Sequence, residues 1–244
     1  MGSIADNLQA VRARIAAAAK AAGRDPAAVH LLAVSKTWPA DCVVAAAACG
    51  QTAFGENYVQ EGVDKIAALA GLATADGGAL EWHFIGPLQS NKTRPVAEHF
   101  AWVHSIDRLK IAERLAAQRP AELPPLQVCV QVNVSGEASK SGCAPEAALA
   151  LCLAVAALPR LRLRGLMCIP EPTEDVAEQR AAFARLRQLA EAGRAAGLAL
   201  DTLSMGMSHD LEAAVAEGAT LVRVGTAIFG ERHYPAPERQ QQHE

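Results

Sequence analysis

The chain has 244 residues, of which 51% are hydrophobic and 20% charged, with a net charge of -3 and a pI near 6.2. A sizeable core is available, within the length that an α/β barrel uses as one domain. The nearly balanced charge and the lack of a long basic block exclude general nucleic-acid or membrane-surface binding, which needs a clustered positive footprint.

Along the chain, the first residues lack a positive segment followed by an apolar one, so no secretory leader is expected. Asp6 stands where a myristoylation site needs Ser or Thr. A helix is predicted over 3–23. The first strand candidate, 30–36, ends at Lys36, just before Thr37, Trp38 and Pro39. Pro39 near its start and Gly50 at its end mark a helix over 39–50. Further strand candidates lie at 52–57, 81–86, 102–106, 126–133, 161–169, 202–206 and 221–225. Ala-, Leu-, Glu- and Arg-rich stretches of helical spacing separate them. The helix over 173–197 carries Val176, Phe183, Leu186 and Leu189 on roughly one face. Ser208 and Gly218 read as the cap and stop of a helix over 209–218. Residues 74–78 read as a loop, and 235–244 as a polar tail after a domain spanning 1–234.

Eight strands alternating with helices predict parallel βαβ units closed into a single (β/α)8 TIM barrel with an extra N-terminal helix, in preference to an open doubly wound sheet. The apolar stretches are broken well short of a membrane span. Cys42, Cys49, Cys129, Cys143, Cys152 and Cys168 form no C-x-x-C pair and no metal-ligand spacing. They read as reduced thiols of a cytoplasmic protein.

In a barrel the strands' C-terminal ends carry the active site. Lys36, Asn57, Asn133, Ser204 with Gly206, and Gly225 with Thr226 all stand there. Strand alternation puts Lys36 on the side of Leu32 and Val34. A lysine there is either a solvated strand-end residue or a desolvated amine able to form a Schiff base. Arg223 faces inward with Leu221 and Gly225, and needs either an inward carboxylate or a ligand as partner. The turn at Gly225 and Thr226 offers backbone amides and a hydroxyl to an anion. The 203–210 segment is either an ordinary strand–turn–helix joint or the second half of a phosphate site, since this fold often binds phosphate after strands 7 and 8. A phosphate there, facing Lys36, suits pyridoxal 5′-phosphate. Lys65, Asn133 and Lys140 are secondary candidates to touch or relay a cofactor. Glu56 and Glu61 could act as bases, and His104 is expected to fill the barrel.

Long stretches resemble the YggS/PROSC-type pyridoxal phosphate homeostasis proteins. They include Leu31-Leu32-Ala33-Val34-Ser35-Lys36-Thr37, Phe54-Gly55-Glu56-Asn57-Tyr58-Val59-Gln60-Glu61 and Trp82-His83-Phe84-Ile85-Gly86-Pro87-Leu88. Later come Leu203-Ser204-Met205-Gly206-Met207-Ser208 and Arg223-Val224-Gly225-Thr226-Ala227-Ile228-Phe229-Gly230. His209 departs from the aspartate or small residue expected there. The resemblance implies a barrel like the N-terminal domain of alanine racemase, with Lys36 holding pyridoxal phosphate as an internal aldimine. It also implies that Ser208, Gly225 and Thr226 contact the phosphate, that Arg223 approaches the pyridine nitrogen, and that Asn57 and His83 line the cofactor.

An arginine at that nitrogen weakens the cofactor as an electron sink. The second base of alanine racemase is a tyrosine from a further domain, whereas this sequence has only Tyr58 and Tyr234 and stops about ten residues after the barrel. The expectation is therefore a monomeric carrier and regulator of pyridoxal phosphate that supplies apo-enzymes without efficient catalysis. A PLP-dependent amino-acid racemase and a Schiff-base aldolase are the rivals.

Overall fold

The computed structural model describes residues 2–74, 77–136 and 141–231, so Lys140, Tyr234 and the 235–244 tail fall outside the described residues. The entry helix α1 (Ile4–Ala21) begins at a reciprocal capping box. Asp6 N–H donates to Ser3 Oγ while Ser3 N–H donates to the Asp6 carboxylate. Leu8, Val11, Ile15 and Ala19 recur at helical spacing and are buried.

The strands are β1 (His30–Val34), β2 (Ala53–Glu56), β3 (Glu81–Phe84), β4 (Trp102–Ile106), β5 (Leu126–Gln131), β6 (Leu161–Met167), β7 (Thr202–Ser204) and β8 (Leu221–Val224). All neighbours pair in parallel, and β1 pairs with β8 from His30↔Leu221 to Ala33↔Val224, which closes the ring. Between strands run α2 (Ala40–Ala48), α3 (Val59–Ala68), α4 (Thr93–His99), α5 (Leu109–Gln118), α6 (Pro145–Ala156), α7 (Val176–Ala195) and α8 (Leu211–Ala216). The short α9 (Thr226–Phe229) follows β8. This is the expected TIM barrel, its extra helix included.

Seven strands start at the expected residue, but most end one or two residues early. The extended sequence pattern runs past the last ladder bond into the mouth loops, and those overruns include the candidates Lys36, Asn57, Asn133 and Gly225. One local expectation fails. Ser208 does not cap α8, because the N-cap residue is Asp210, whose Oδ1 instead accepts from Met207 N–H at 2.6 Å.

Side chains alternate between two packing zones. Outward residues such as Phe54, Phe84, Val103, Val128 and Val222 join the helices in one large apolar cluster. Inward residues form two small clusters, one of Leu32, Val34, Ile85 and Leu221, the other of Trp102, Cys129 and Met167.

Candidate functional site

The C-terminal ends of β1 and β8 abut. A Cβ added to Gly225 would lie 3.0 Å from the Val34 carbonyl oxygen, so a side chain there would push the two strand ends apart. Two residues beyond Val34 comes Lys36, partly buried. The next turn packs Trp38 against Phe229 of α9, with ring centroids 6.2 Å apart. The Lys36 segment and the turn of Gly225 and Thr226 are thus held side by side. Ser208 joins them from the β7 loop, because Ser208, Thr226 and Ala227 line one cavity of about 430 Å³. The Ser208 carbonyl accepts from Arg14 of α1 at 3.2 Å, which ties this loop to the entry helix.

The backbone around Lys36 is fixed by a buried ion cluster. Lys65 Nζ of α3 donates to Ser35 O at 2.7 Å, Glu56 Oε1 at 2.8 Å and Glu61 Oε1 at 2.6 Å. Ser35 Oγ donates to Glu56 Oε1 at 2.6 Å, and Thr37 N–H donates to Glu61 Oε1 at 2.5 Å. Both neighbours of Lys36 therefore hang on one ammonium and two carboxylates. Thr37 sits at φ 67°, a region that a β-branched residue occupies only at a cost in strain. Burial pushes the Glu56 carboxyl up, against the opposing pull of Lys65 and Ser35. These bonds give Lys65, Glu56 and Glu61 a structural task beneath the mouth.

Asn57 follows β2 at the same mouth. A Cβ on Gly86 would come 2.2 Å from the Asn57 carbonyl oxygen, so the loop after β3 lies directly on it. Asn57 Oδ1 is buried without a hydrogen-bond partner among the described residues. Arg223 is buried inside the barrel. Its Nη1 donates to Ser204 Oγ at 2.8 Å and its Nη2 to Cys168 O at 2.9 Å. Its bonded partners are a hydroxyl and a carbonyl, where the sequence left an inward carboxylate open. Burial lowers its pKa from the usual guanidinium value.

His83 is placed differently from the others. It stacks on Trp102, with centroids 5.2 Å apart, bonds to Glu81 at the start of β3, and lines a cavity at the opposite, N-terminal mouth. Its other ring nitrogen meets His104. The structure thus brings Lys36, Ser208, Gly225 and Thr226 together, with Arg223 below and Asn57 alongside, and leaves His83 deeper in the barrel. The links from His83 to His104 and from His104 to Ser204 were not foreseen. They join residues 21 and 100 positions apart and leave no local signal in the sequence.

The donor set fits a phosphorylated aldehyde. It holds an amine, a glycine-lined turn beside a hydroxyl-bearing cavity, a buried cation, and an amide oxygen with no hydrogen-bond partner among the described residues.

Residues 7–233 match the family described as alanine racemase, N-terminal domain, which defines the barrel's class. A pyridoxal phosphate homeostasis protein of Pseudomonas aeruginosa is 66% identical over 237 residues, covering 97% of this chain and 99% of that protein. Its Escherichia coli counterpart is 57% identical, covering 96% and 99%. PipY of Synechococcus elongatus, solved with PLP bound, is 39% identical with a TM-score of 0.79, covering 93% of this chain and all of that one. The chain belongs to the pyridoxal phosphate homeostasis protein family. Alanine racemase of Corynebacterium glutamicum, 18% identical with a TM-score of 0.67, shares the fold over 94% of this chain and 61% of its own length.

Proposed function

We propose that the chain binds pyridoxal 5′-phosphate as a Schiff base on Lys36 and hands it to apo-enzymes, without efficient turnover of its own. The observation that carries this reading is the packing of the Lys36 segment against the turn of Gly225 and Thr226, with Ser208 across the shared cavity. A strand-end lysine beside an anion cradle suits an aldehyde that bears a phosphate. Asn57 Oδ1 offers a further contact, and Arg223 brings a buried positive charge to the ring side. When bound, pyridoxal phosphate supplies an electron sink for an α-carbanion. Arg223 disfavours protonation of the ring nitrogen and so weakens that sink. Masking the aldehyde as an imine buffers the free cofactor, and exchange with another amine releases it.

Six free thiols accord with a reducing compartment, and we assign the protein to the cytoplasm as a monomer. Among the described residues no helix is long and apolar enough to cross a membrane.

The test is the absorbance spectrum of protein titrated with pyridoxal phosphate. A visible imine band is expected that borohydride fixes on the Lys36 peptide and that Lys36→Ala abolishes. Borohydride labelling of another lysine would move the site. Exchange of the alanine α-hydrogen with solvent deuterium at enzymatic rates would replace the carrier reading with the racemase.

A further inference from the structure

A single line of hydrogen bonds runs through the barrel from the upper mouth to the lower. Arg223 Nη1 lies 2.8 Å from Ser204 Oγ, and Ser204 Oγ lies 2.8 Å from His104 Nδ1. His104 Nε2 lies 2.8 Å from His83 Nδ1, and His83 Nε2 lies 2.8 Å from Glu81 Oε1. Ser204, His104 and His83 are buried, whereas the Glu81 side chain is 50% exposed beside the lower cavity.

Donors and acceptors fix the order of the hydrogens. A guanidinium only donates, so Ser204 Oγ accepts from Arg223. The hydroxyl oxygen can accept a second bond, but its one hydrogen is available to His104 Nδ1, and the Glu81 end decides between the two orders. When the hydroxyl donates, a neutral His104 carries its proton on Nε2 and donates it to His83 Nδ1. His83 in turn carries its proton on Nε2 and donates to Glu81. The reverse order sets the bare Nε2 of His83 against the Glu81 carboxylate, two acceptors 2.8 Å apart. The charges agree. The bond from His83 holds the Glu81 carboxyl below its usual range. Burial, joined by His83 and Arg223, holds His104 well below the usual imidazole value, and burial also lowers His83. The other titratable groups around Arg223 are the Cys129 and Cys168 thiols, both pushed up to about 12 by burial and hence neutral, and Asp210. Arg164 lies over the Trp102 ring beside His83.

We propose that Ser204, His104 and His83 are positioning residues: an ordered neutral chain, anchored on Glu81 at the opposite mouth, that fixes the Arg223 guanidinium toward the cofactor ring. This rests on the reading that Arg223 faces that ring. Held by the Ser204 hydroxyl and the Cys168 carbonyl, with no carboxylate among its bonded partners, Arg223 delivers its positive charge upward. A neutral chain in a low-dielectric interior is polarised from end to end, so an order set at Glu81 is felt at Arg223.

Two measurements test it. In cofactor-free protein, nitrogen-15 spectra of the histidines should show both His83 and His104 neutral and protonated on Nε2 near neutral pH. Either ring charged, or protonated on Nδ1, overturns the order. In protein loaded with pyridoxal phosphate, the pH midpoint of the imine band should rise by about one unit in Ser204→Ala, because a displaced cation no longer suppresses imine protonation. Ser204→Thr, which keeps the hydroxyl, should restore it. A folded Ser204→Ala protein with the wild-type midpoint overturns the positioning role. If Ser204→Ala fails to fold, the nitrogen spectra of the wild-type protein still decide the order. A wild-type protein that gives no imine band overturns the cofactor reading and the role assigned to the chain, and the nitrogen spectra distinguish that failure from a wrong hydrogen order.

Discussion

The apolar layer outside the barrel and the space inside it are built on opposite principles. Outside, one continuous cluster takes in residues from every strand and from nearly every helix. Inside, two small apolar clusters are divided by Arg223, Ser204, His104 and His83. The outer layer gains stability from area removed from water and tolerates local imperfection. The inner space gains direction, since Arg223, Ser204, His104 and His83 bond to one another in a fixed order. A barrel built this way can hold its mouth rigid while its centre carries charge.

The largest effect should come from the outer layer. Phe54 is fully buried, with its ring 5.7 Å from Trp82. Phe54→Ala should cost about 3–5 kcal/mol in a urea melt through lost transfer energy and the cavity left behind. A loss under 1 kcal/mol would mean that the shell is not the main source of stability.

Next comes a buried charged island in that layer. Lys65→Met leaves Glu56, wholly buried, facing Ser35 alone, while Glu61 can turn to solvent. Breaking a buried pair from one side costs about 3 kcal/mol. Glu56 can then take up a proton, so the loss should shrink as pH falls toward 5. A pH-independent loss would locate the damage in packing rather than in charge. The same variant frees Thr37 from its strained conformation, so imine formation at Lys36 should slow in stopped-flow absorbance.

The inner space should reveal itself through acid. His104 and His83 have folded pKa values below the unfolded value of 6.5. Below pH 6.5 the unfolded chain takes up protons that these two rings in the folded protein refuse. Their stabilisation is therefore fully present above 6.5 and is lost as pH falls, at about 1.4 kcal/mol per pH unit for each ring that stays neutral. Urea melts between pH 7 and 5.5 should show this slope, and it should be shallower in His104→Gln. An unchanged slope would mean that His104 titrates normally inside the barrel.

The two zones also differ in how far the sequence reveals them. Outward valines, leucines and phenylalanines repeat with a period of two on strands and near 3.6 on helices, so strand starts and the closed ring were legible. The mouth positions of Lys36, Gly225 and Thr226 were legible as well, because a mouth residue only has to follow its strand, whereas Ser208 read equally as the cap of the next helix, which it is not. The inner polar chain was not. Residue 83 shares an inward face with 81, but nothing in a linear pattern pairs it with 104, or 104 with 204. Lys65 stood as a secondary candidate for the cofactor, and its bonds beneath the Lys36 segment were hidden for a similar reason. A lysine on an amphipathic helix reads as solvated unless its acceptors, here on β2 and on the loop after β1, are known to lie beneath it.

The smallest expected effect on stability lies at the rim, where α1 meets the site. Arg14 forms a bidentate pair with Glu212 at 2.9 Å and also donates to the Ser208 carbonyl. Both charged side chains are substantially exposed, so water screens the pair. Arg14→Gln should cost less than about 1 kcal/mol in a urea melt. Retention of pyridoxal phosphate should respond more strongly. The Ser208 loop would lose the bond that sets its height over the Thr226 turn, and a phosphate held by few groups is sensitive to each one's position. Equilibrium dialysis of the loaded variant should show weaker retention at near-normal stability. Equal retention would mean that the turn after β8 carries the phosphate without help from the β7 loop.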